Sequence, residues 1–188
     1  MPQTGIAKPA EVPWGAHICH FYRSRQDLLD IIIPYLKAGL EAGECCVWVT
    51  GDSIPVPDAE LALEAAVPDL GRRRRLGQVE IVDSRDWYLA GTIFDSSRVL
   101  SAWRRRLSAA LARGYSGLRI TGDMSWVDDR NWDALVAYET AVNNSIGSLR
   151  MIAICSYPML GSGPYQTSKI TRTHPLALLP REQGWDVV

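Results

Sequence analysis

The stretch His17-Ile18-Cys19-His20-Phe21-Tyr22 begins the folded part of the chain and is the first of several apolar runs that end on polar or aromatic residues. The later runs are Val47-Trp48-Val49-Thr50-Gly51-Asp52, Leu118-Arg119-Ile120-Thr121-Gly122-Asp123 and Ile152-Ala153-Ile154-Cys155-Ser156-Tyr157-Pro158. If these strands run parallel, their carboxyl ends lie at one edge of a sheet, where open α/β sheets bind ligands. The sequence therefore predicts a crevice lined by carboxylate, thiol, phenol and indole groups, which suits holding a small molecule.

Segments with helical spacing of apolar residues lie between these runs. Ser24 and Asp95 are suitable N-caps for two of them, and further helices are predicted over residues 58–70 and 129–146. The resulting β-α alternation predicts an α/β fold in three layers, with a mainly parallel sheet and helices on both faces.

The length of 188 residues fits one domain. Prolines at positions 2, 9 and 13 predict an irregular lead-in over residues 1–16. A single domain is predicted over residues 17–180, followed by a tail over residues 181–188.

Charge and composition exclude several classes of function. The net charge of -1 argues against direct nucleic-acid binding. The basic runs Arg72–Arg75 and Arg104–Arg106 are interpreted as solvated helix faces. No apolar run approaches the roughly 20 residues of a membrane span, and residues 1–13 lack the apolar segment of a signal peptide. The four cysteines form no Cys-x-x-Cys pair, which favours reduced thiols in a cytoplasmic protein.

Glu139 is the strongest single candidate for a site residue in the sequence. At about 100° per residue, it falls in the middle of the apolar stripe of the predicted helix 129–146, with Asn143 one turn further along. A carboxylate in such a stripe must be paired, hydrogen-bonded or protonated. Two interpretations remain open, namely a structural ion pair or cap, and a carboxylate that faces a ligand together with Asn143.

His17 and Cys19 are two positions apart on a strand and therefore share a face, whereas His20 and Tyr22 share the other face. A His-x-Cys pair can supply two ligands to a soft metal ion, and Cys155 or His174 could add a third. The alternative is a set of hydrogen-bonded side chains near a pocket, and no cofactor is predicted.

Polar and aromatic residues near the strand ends are the candidate walls of the crevice. Asp123 and Trp126 bracket a turn after a strand, where Asp123 could hold a cation, accept from a ligand or cap a helix. Trp87, Tyr88 and Tyr157 could add apolar surface. Core packing is the alternative for each of these aromatic residues.

The sequence lacks the common motifs of nucleotide hydrolases. Arg23-Ser24-Arg25-Gln26-Asp27 follows the first strand, at the place where a Gly-x-x-x-x-Gly-Lys-Ser/Thr loop would cradle a phosphate. Gly-x-Ser-x-Gly and His-Glu-x-x-His are also missing. The chain is therefore predicted not to be an enzyme.

Six motifs together point to a known family. They are the first strand, Gly39-Leu40-Glu41-Ala42-Gly43-Glu44, Thr121-Gly122-Asp123-Met124-Ser125-Trp126, Tyr138-Glu139-x-x-Val142-Asn143, Cys155-Ser156-Tyr157-Pro158 and Thr173-His174-Pro175-Leu176. In this order the chain resembles the MEDS domain, the methanogen/methylotroph sensory domain of dichloromethane-responsive regulators, over about residues 14–180. The resemblance implies a RecA/KaiC-like fold without a phosphate-binding loop.

The resemblance also implies a function, because the family is proposed to sense small hydrocarbon derivatives for an attached kinase, DNA-binding or other output domain. The leading hypothesis is a stand-alone sensor that binds a small organic ligand and signals through a separate kinase or transcription regulator. The predicted ligand-binding residues are His17, Cys19, Tyr22, Trp87, Tyr88, Asp123, Trp126, Glu139, Asn143, Cys155, Tyr157 and His174.

Two other hypotheses remain open at this point. The first is a protein–protein adaptor in a sigma-factor or kinase pathway, with a vestigial pocket. The second is a metal-binding or enzymatic protein that uses His17 and Cys19. Homo-oligomerisation is compatible with all three hypotheses.

Overall fold

A seven-stranded sheet forms the middle layer of the protein. The computed structural model describes residues 1–90, 93–159, 163–181 and 184–188. The strands are β1 (His17–Tyr22), β2 (Cys45–Thr50), β3 (Val79–Asp83), β4 (Leu118–Asp123), β5 (Met151–Pro158), β6 (Leu176–Pro180) and β7 (Trp185–Val187). Their order is β3-β2-β4-β5-β1-β6-β7, and every pair is parallel except β6 with β7.

Helices cover both faces of the sheet. They are α1 (Arg25–Glu41), α2 (Val56–Ala66), α3 (Leu70–Arg75), α4 (Ser96–Ala112), α5 (Trp132–Ile146) and α6 (Pro164–Arg172). Ser24 and Asp95 cap α1 and α4, since their side-chain oxygens accept from Asp27 N and Arg98 N at 3.1 Å. No helix in the described ranges has the length and apolar character that a membrane crossing requires.

Strand alternation divides the core into two layers, because successive side chains point to opposite faces. Cys19 and Phe21 of β1 pack with α4, α5 and α6, and we call this side the α5 face. Ile18 and Tyr22 pack with α1, α2 and α3, on what we call the α1 face. The three-layer α/β prediction is confirmed.

A buried ion pair fixes the amino ends of the strands on the α1 face. Arg119 of β4 donates to both carboxylate oxygens of Glu44, at 2.6 and 2.9 Å. It also donates to the carbonyls of Tyr35 and Gln3, which ties the lead-in to the sheet. The two side chains are 0% and 2% exposed, so this ion pair lies in the core.

Three segments differ from the sequence-based expectation. The segment expected as one helix over residues 58–70 forms two, since α2 ends at Ala66 and α3 begins at Leu70. Trp87 and Tyr88 lie in a π-helical turn over Arg85–Leu89, where no helix was predicted, and their carbonyls accept from Arg98. The expected tail contains β7, which pairs with β6. Three residues are too few to show strand alternation. Before β7, Gly184 has a φ of 84°, and its carbonyl accepts a hydrogen bond from Arg181 N.

Candidate functional site

Five polar side chains meet on the α5 face, where the surroundings are otherwise apolar. We call them the α5 cluster: His17, Glu139, Cys155, Tyr157 and His174. They come from the start of β1, the middle of α5, two same-face positions of β5 and the turn before β6. The side chains of Glu139, His17 and His174 are 0% exposed, so the carboxylate and both imidazoles are buried away from bulk water.

The Glu139 carboxylate is the centre of the cluster. Its Oε2 atom lies 3.2 Å from His17 Nε2, 3.6 Å from His174 Nε2 and 3.6 Å from Cys155 Sγ. Its Oε1 atom accepts a 2.6 Å hydrogen bond from the Tyr157 hydroxyl. The two oxygens therefore have separate environments, and three potential ligand atoms converge on Oε2.

The two imidazoles lie against each other, with ring centroids 3.9 Å apart and planes inclined by 31°. His174 Nδ1 is 2.9 Å from the Ile170 carbonyl, which can only accept, so this nitrogen carries a proton. His174 Nε2 and His17 Nδ1 are buried without a hydrogen-bond partner among the described residues. A neutral His174 thus directs a lone pair from Nε2 towards Glu139.

Electrostatics keep the carboxylate ionised despite its burial. Burial alone would raise the pKa of Glu139, but hydrogen bonds from His17 and Tyr157 and the nearby imidazoles outweigh it and lower that pKa. Burial and the neighbouring His17 lower the pKa of His174 to about 4. Burial and the Glu139 charge raise the pKa of the Cys155 thiol well above its usual value. The cluster therefore centres on one buried negative charge.

A cavity of about 200 Å³ adjoins the cluster at the carboxyl ends of β4 and β5. It is lined by Met124, Ser125, Val127, Asp128, Asp129, Trp132, Leu135, Tyr157, Pro158 and Gln166. Tyr157 is the connection, since it lines this cavity and also bonds to Glu139. Of the lining residues, only Tyr157 was expected from the sequence. Trp132 was missed because it was assigned to the apolar stripe of its helix.

A second polar group lies at the carboxyl ends of the strands, on the α1 face. Asp123 Oδ1 accepts from the Tyr22 hydroxyl at 3.0 Å and from Ser125 N at 2.9 Å. Its Oδ2 is buried without a hydrogen-bond partner in the described part of the chain. Burial raises the pKa of Asp123 to about 6, although these hydrogen bonds oppose the shift. A Cβ atom at Gly51 would lie 2.6 Å from the Asp123 carboxyl carbon, so only glycine fits there.

Three of the expected pocket walls are core residues instead. Trp87, Tyr88 and Trp126 belong to the apolar core of the α5 face, and the rings of Tyr88 and Trp126 stack at 5.1 Å. A Cβ atom at Gly122 would lie 2.2 Å from the Tyr88 hydroxyl, which explains how Tyr88 packs onto β4. Trp126 also borders a separate recess with Arg85 and Asp128.

The residues that were expected to line a single crevice therefore lie at two sites on opposite faces of the sheet. The α5 cluster unites His17, Glu139, Cys155, Tyr157 and His174, whereas Tyr22 and Asp123 pair on the other face. The Cys19 thiol points to the Leu176 carbonyl at 3.6 Å, outside the group of metal-ligand atoms that lie within 4.8 Å of one another. Of the two candidate metal ligands His17 and Cys19, only His17 belongs to this group, in which its Nε2 lies 3.6 Å from Cys155 Sγ. Asn143 is half-buried on α5.

The loop between β1 and α1 is closed by its own side chains. Asp27 accepts from Arg23 N at 2.9 Å, and Ser24 Oγ accepts from Asp27 N. A carboxylate thus binds the backbone N–H that a phosphate-binding loop would present to an anion.

The architecture is that of RecA/KaiC-like domains. A KaiC-like protein from Pyrococcus horikoshii superimposes with a TM-score of 0.60 at 14% identity, covering 98% of this chain and 84% of that one. The flagellar accessory protein FlaH from Methanocaldococcus jannaschii gives 0.59 at 11% identity, covering 95% and 77%. At such identities the likeness shows the fold alone.

Within this fold class, the chain belongs to the MEDS family, the methanogen/methylotroph, DcmR sensory domain, whose model matches residues 16–175. The resemblance expected from the six motifs is confirmed. A curated relative, the transcriptional repressor DcmR of Methylorubrum extorquens, is 23% identical over 150 residues. That match covers 78% of this chain and 53% of the repressor, so the chain spans about half the length of this relative.

Proposed function

We propose that this sensory domain binds a compact, neutral or cationic organic molecule in the cavity beside Tyr157 and signals to a separate regulatory protein. The family and the repressor relative support a regulatory role. The observation that carries the ligand site is the double contact of Tyr157, which lines the cavity and bonds to the buried Glu139.

The size and polarity of the cavity support a small ligand. Drug-sized ligands occupy pockets of roughly 300–1,000 Å³. A cavity of about 200 Å³ suits a smaller molecule. Trp132, Leu135 and Met124 supply apolar surface, while Gln166 and Ser125 offer hydrogen bonds. This mixture of apolar walls and a few polar groups is typical of small-molecule sites.

The negative charges around the cavity support a neutral or cationic ligand. Asp128 and Asp129 line the cavity, and the Glu139 carboxylate lies behind Tyr157. An anion placed there would be repelled by these carboxylates.

A hydrogen-bonding ligand would act through Tyr157. A ligand that engages the Tyr157 hydroxyl competes with Glu139 for that group, and Glu139 is carried by α5. The ligand would thereby change how α5 is held against β5. A movement of α5 is the signal that we propose the regulatory partner detects.

We also propose that this chain does not hydrolyse nucleotides. The side chain of Asp27 accepts the Arg23 N–H at the place where KaiC-like folds with a phosphate-binding loop would hold phosphate. We expect neither ATP turnover nor tight ATP binding in calorimetry.

A tryptophan-fluorescence screen of small neutral, cationic and anionic compounds tests the ligand proposal. We expect neutral or cationic compounds to change the emission of the wild-type protein and of Trp126→Phe, and to leave Trp132→Phe nearly unchanged. Trp126 is the matched control, because it is buried in the aromatic core rather than lining this cavity. Binding of anions alone, or a signal lost only in Trp126→Phe, would contradict the proposal. If native mass spectrometry detects no compound bound to the protein, the adaptor hypothesis would be favoured.

A further inference from the structure

Glu139 Oε2 and the three nitrogen and sulfur atoms around it have the spacing of a metal coordination shell. In a tetrahedral zinc site, bond lengths of about 2.0–2.3 Å place neighbouring ligand atoms about 3.3–3.8 Å apart. Here Cys155 Sγ lies 3.6 Å from both His17 Nε2 and Glu139 Oε2, and the carboxylate oxygen lies 3.2 and 3.6 Å from the two imidazoles. Four edges of the tetrahedron therefore match, and all the ligand atoms lie within 4.8 Å of one another.

We infer that His17, Glu139, Cys155 and His174 coordinate one divalent transition-metal ion, of which zinc fits best. The ligand set combines two imidazoles, one thiolate and one carboxylate, all of which are ligands that zinc accepts. Two neutral imidazoles and two anions also balance the double positive charge. Such a balance is what allows an ion to be buried away from water.

Hydrogen bonds outside this shell orient two of the ligands, His174 and Glu139. Histidine ligands of metal ions donate their second N–H to a carbonyl or carboxylate, which fixes the tautomer. His174 does so through Nδ1 to the Ile170 carbonyl at 2.9 Å, and its Nε2 is left without a hydrogen-bond partner among the described residues. Tyr157 occupies the other oxygen of Glu139, so only Oε2 faces the shell. Tyr157 is therefore a positioning residue.

Four protein ligands complete a tetrahedral shell, and closed shells of this kind are typical of structural rather than catalytic zinc. The ion would join α5 to β1, β5 and the turn before β6. It would therefore hold the face that borders the proposed cavity. This inference does not depend on the proposed ligand, since the metal can be measured in its absence.

Metal analysis of the purified chain tests the inference. After removal of metal and equilibration with micromolar zinc, we expect about one zinc ion per chain in the wild type and in Cys19→Ser, and only traces in Cys155→Ser and His174→Ala. Cys19 is the matched control because its buried thiol lies on the same face, two residues from His17. Tyr157→Phe should keep the stoichiometry but bind zinc about 10–100-fold more weakly.

Circular dichroism identifies any variant that fails to fold. Cobalt substitution gives a second test that needs only the wild type and Cys19→Ser. Wild type loaded with Co²⁺ should show the intense visible absorption of tetrahedral cobalt and a thiolate charge-transfer band in the near ultraviolet. The band should persist in Cys19→Ser. A metal-free wild type, a weak octahedral spectrum, or loss of the band in Cys19→Ser would overturn the inference.

Discussion

The Tyr157 hydroxyl donates a 2.6 Å hydrogen bond to Glu139 and joins strand β5 to the centre of helix α5. The bond is buried, and its acceptor is held in the charged form, because hydrogen bonds and imidazoles lower the pKa of Glu139. Hydrogen bonds to charged groups contribute more than neutral ones. Together with Trp132 and Leu135 of α5, which line the neighbouring cavity, this bond would connect a ligand in that cavity to the helix.

The first prediction concerns the strength of this link. Tyr157→Phe should lower the free energy of unfolding by about 1.5–3 kcal/mol, because a bond to a charged acceptor is lost while the ring remains. Tyr138→Phe is the matched control, since the Tyr138 hydroxyl accepts from Trp103 Nε1 at 2.9 Å and has a neutral partner. It should cost about 0.5–1.5 kcal/mol in the same urea titration. Equal losses would show that the Glu139 link has no special strength.

The second prediction concerns Glu139 itself. In metal-free buffer, Glu139→Leu should lower the free energy of unfolding by about 3–5 kcal/mol, because His17, Cys155 and Tyr157 lose a common partner in a buried site. Glu139→Gln keeps an acceptor for Tyr157 and should cost less, about 1–3 kcal/mol. Thermal melts and urea titrations of both variants measure this order. A leucine variant as stable as the wild type would mean that the cluster contributes nothing to folding.

The third prediction is a pH dependence caused by Asp123. Its pKa in the folded protein is raised to about 6, so the native state binds a proton at a higher pH than the unfolded chain does. Stability relative to Asp123→Asn should therefore rise as the pH falls through about 6 towards 4, by at most about 2–3 kcal/mol. The exposed Asp86→Asn serves as control and should follow the wild type. A difference that is flat across this pH range would refute the raised pKa.

The fourth prediction concerns the buried pair of Arg119 and Glu44. Arg119→Met should cost about 3–5 kcal/mol of stability, because it leaves the Glu44 carboxylate buried without its partner. The double variant Arg119→Met with Glu44→Leu should lose much less than the sum of the single changes. A double-mutant cycle measures this coupling. Simple additivity would indicate that water compensates Glu44.

The site could be predicted in part, since two regular periods place residues on faces. The 3.6-residue period of α5 indicated that Glu139 faces the core, and the two-residue period of β1 separated His17 from Tyr22. These periods do not say which face of the sheet a helix covers. The pairing of Glu139 with His17 rather than with Asp123 follows from the path of the chain over the sheet, which is a tertiary property.

Residues in turns could not be placed by periodicity. His174 lies in the turn before β6, and the position of its ring depends on the Ile170 carbonyl and on the packing of α6. Trp87 is a residue type that is common in pocket walls, yet the centroid of its ring lies 4.2 Å from that of Trp103 in the core. Aromatic residues suit pockets and cores alike, so their type alone did not distinguish the two environments.

The four residues of the α5 cluster that we propose as metal ligands belong to segments that are far apart in the chain, and this has a consequence for synthesis. His17 and Cys155 are separated by 138 positions, and His174 follows only after α6. The cluster can therefore be completed only when nearly the whole domain has emerged from the ribosome, because no shorter fragment contains all of its members.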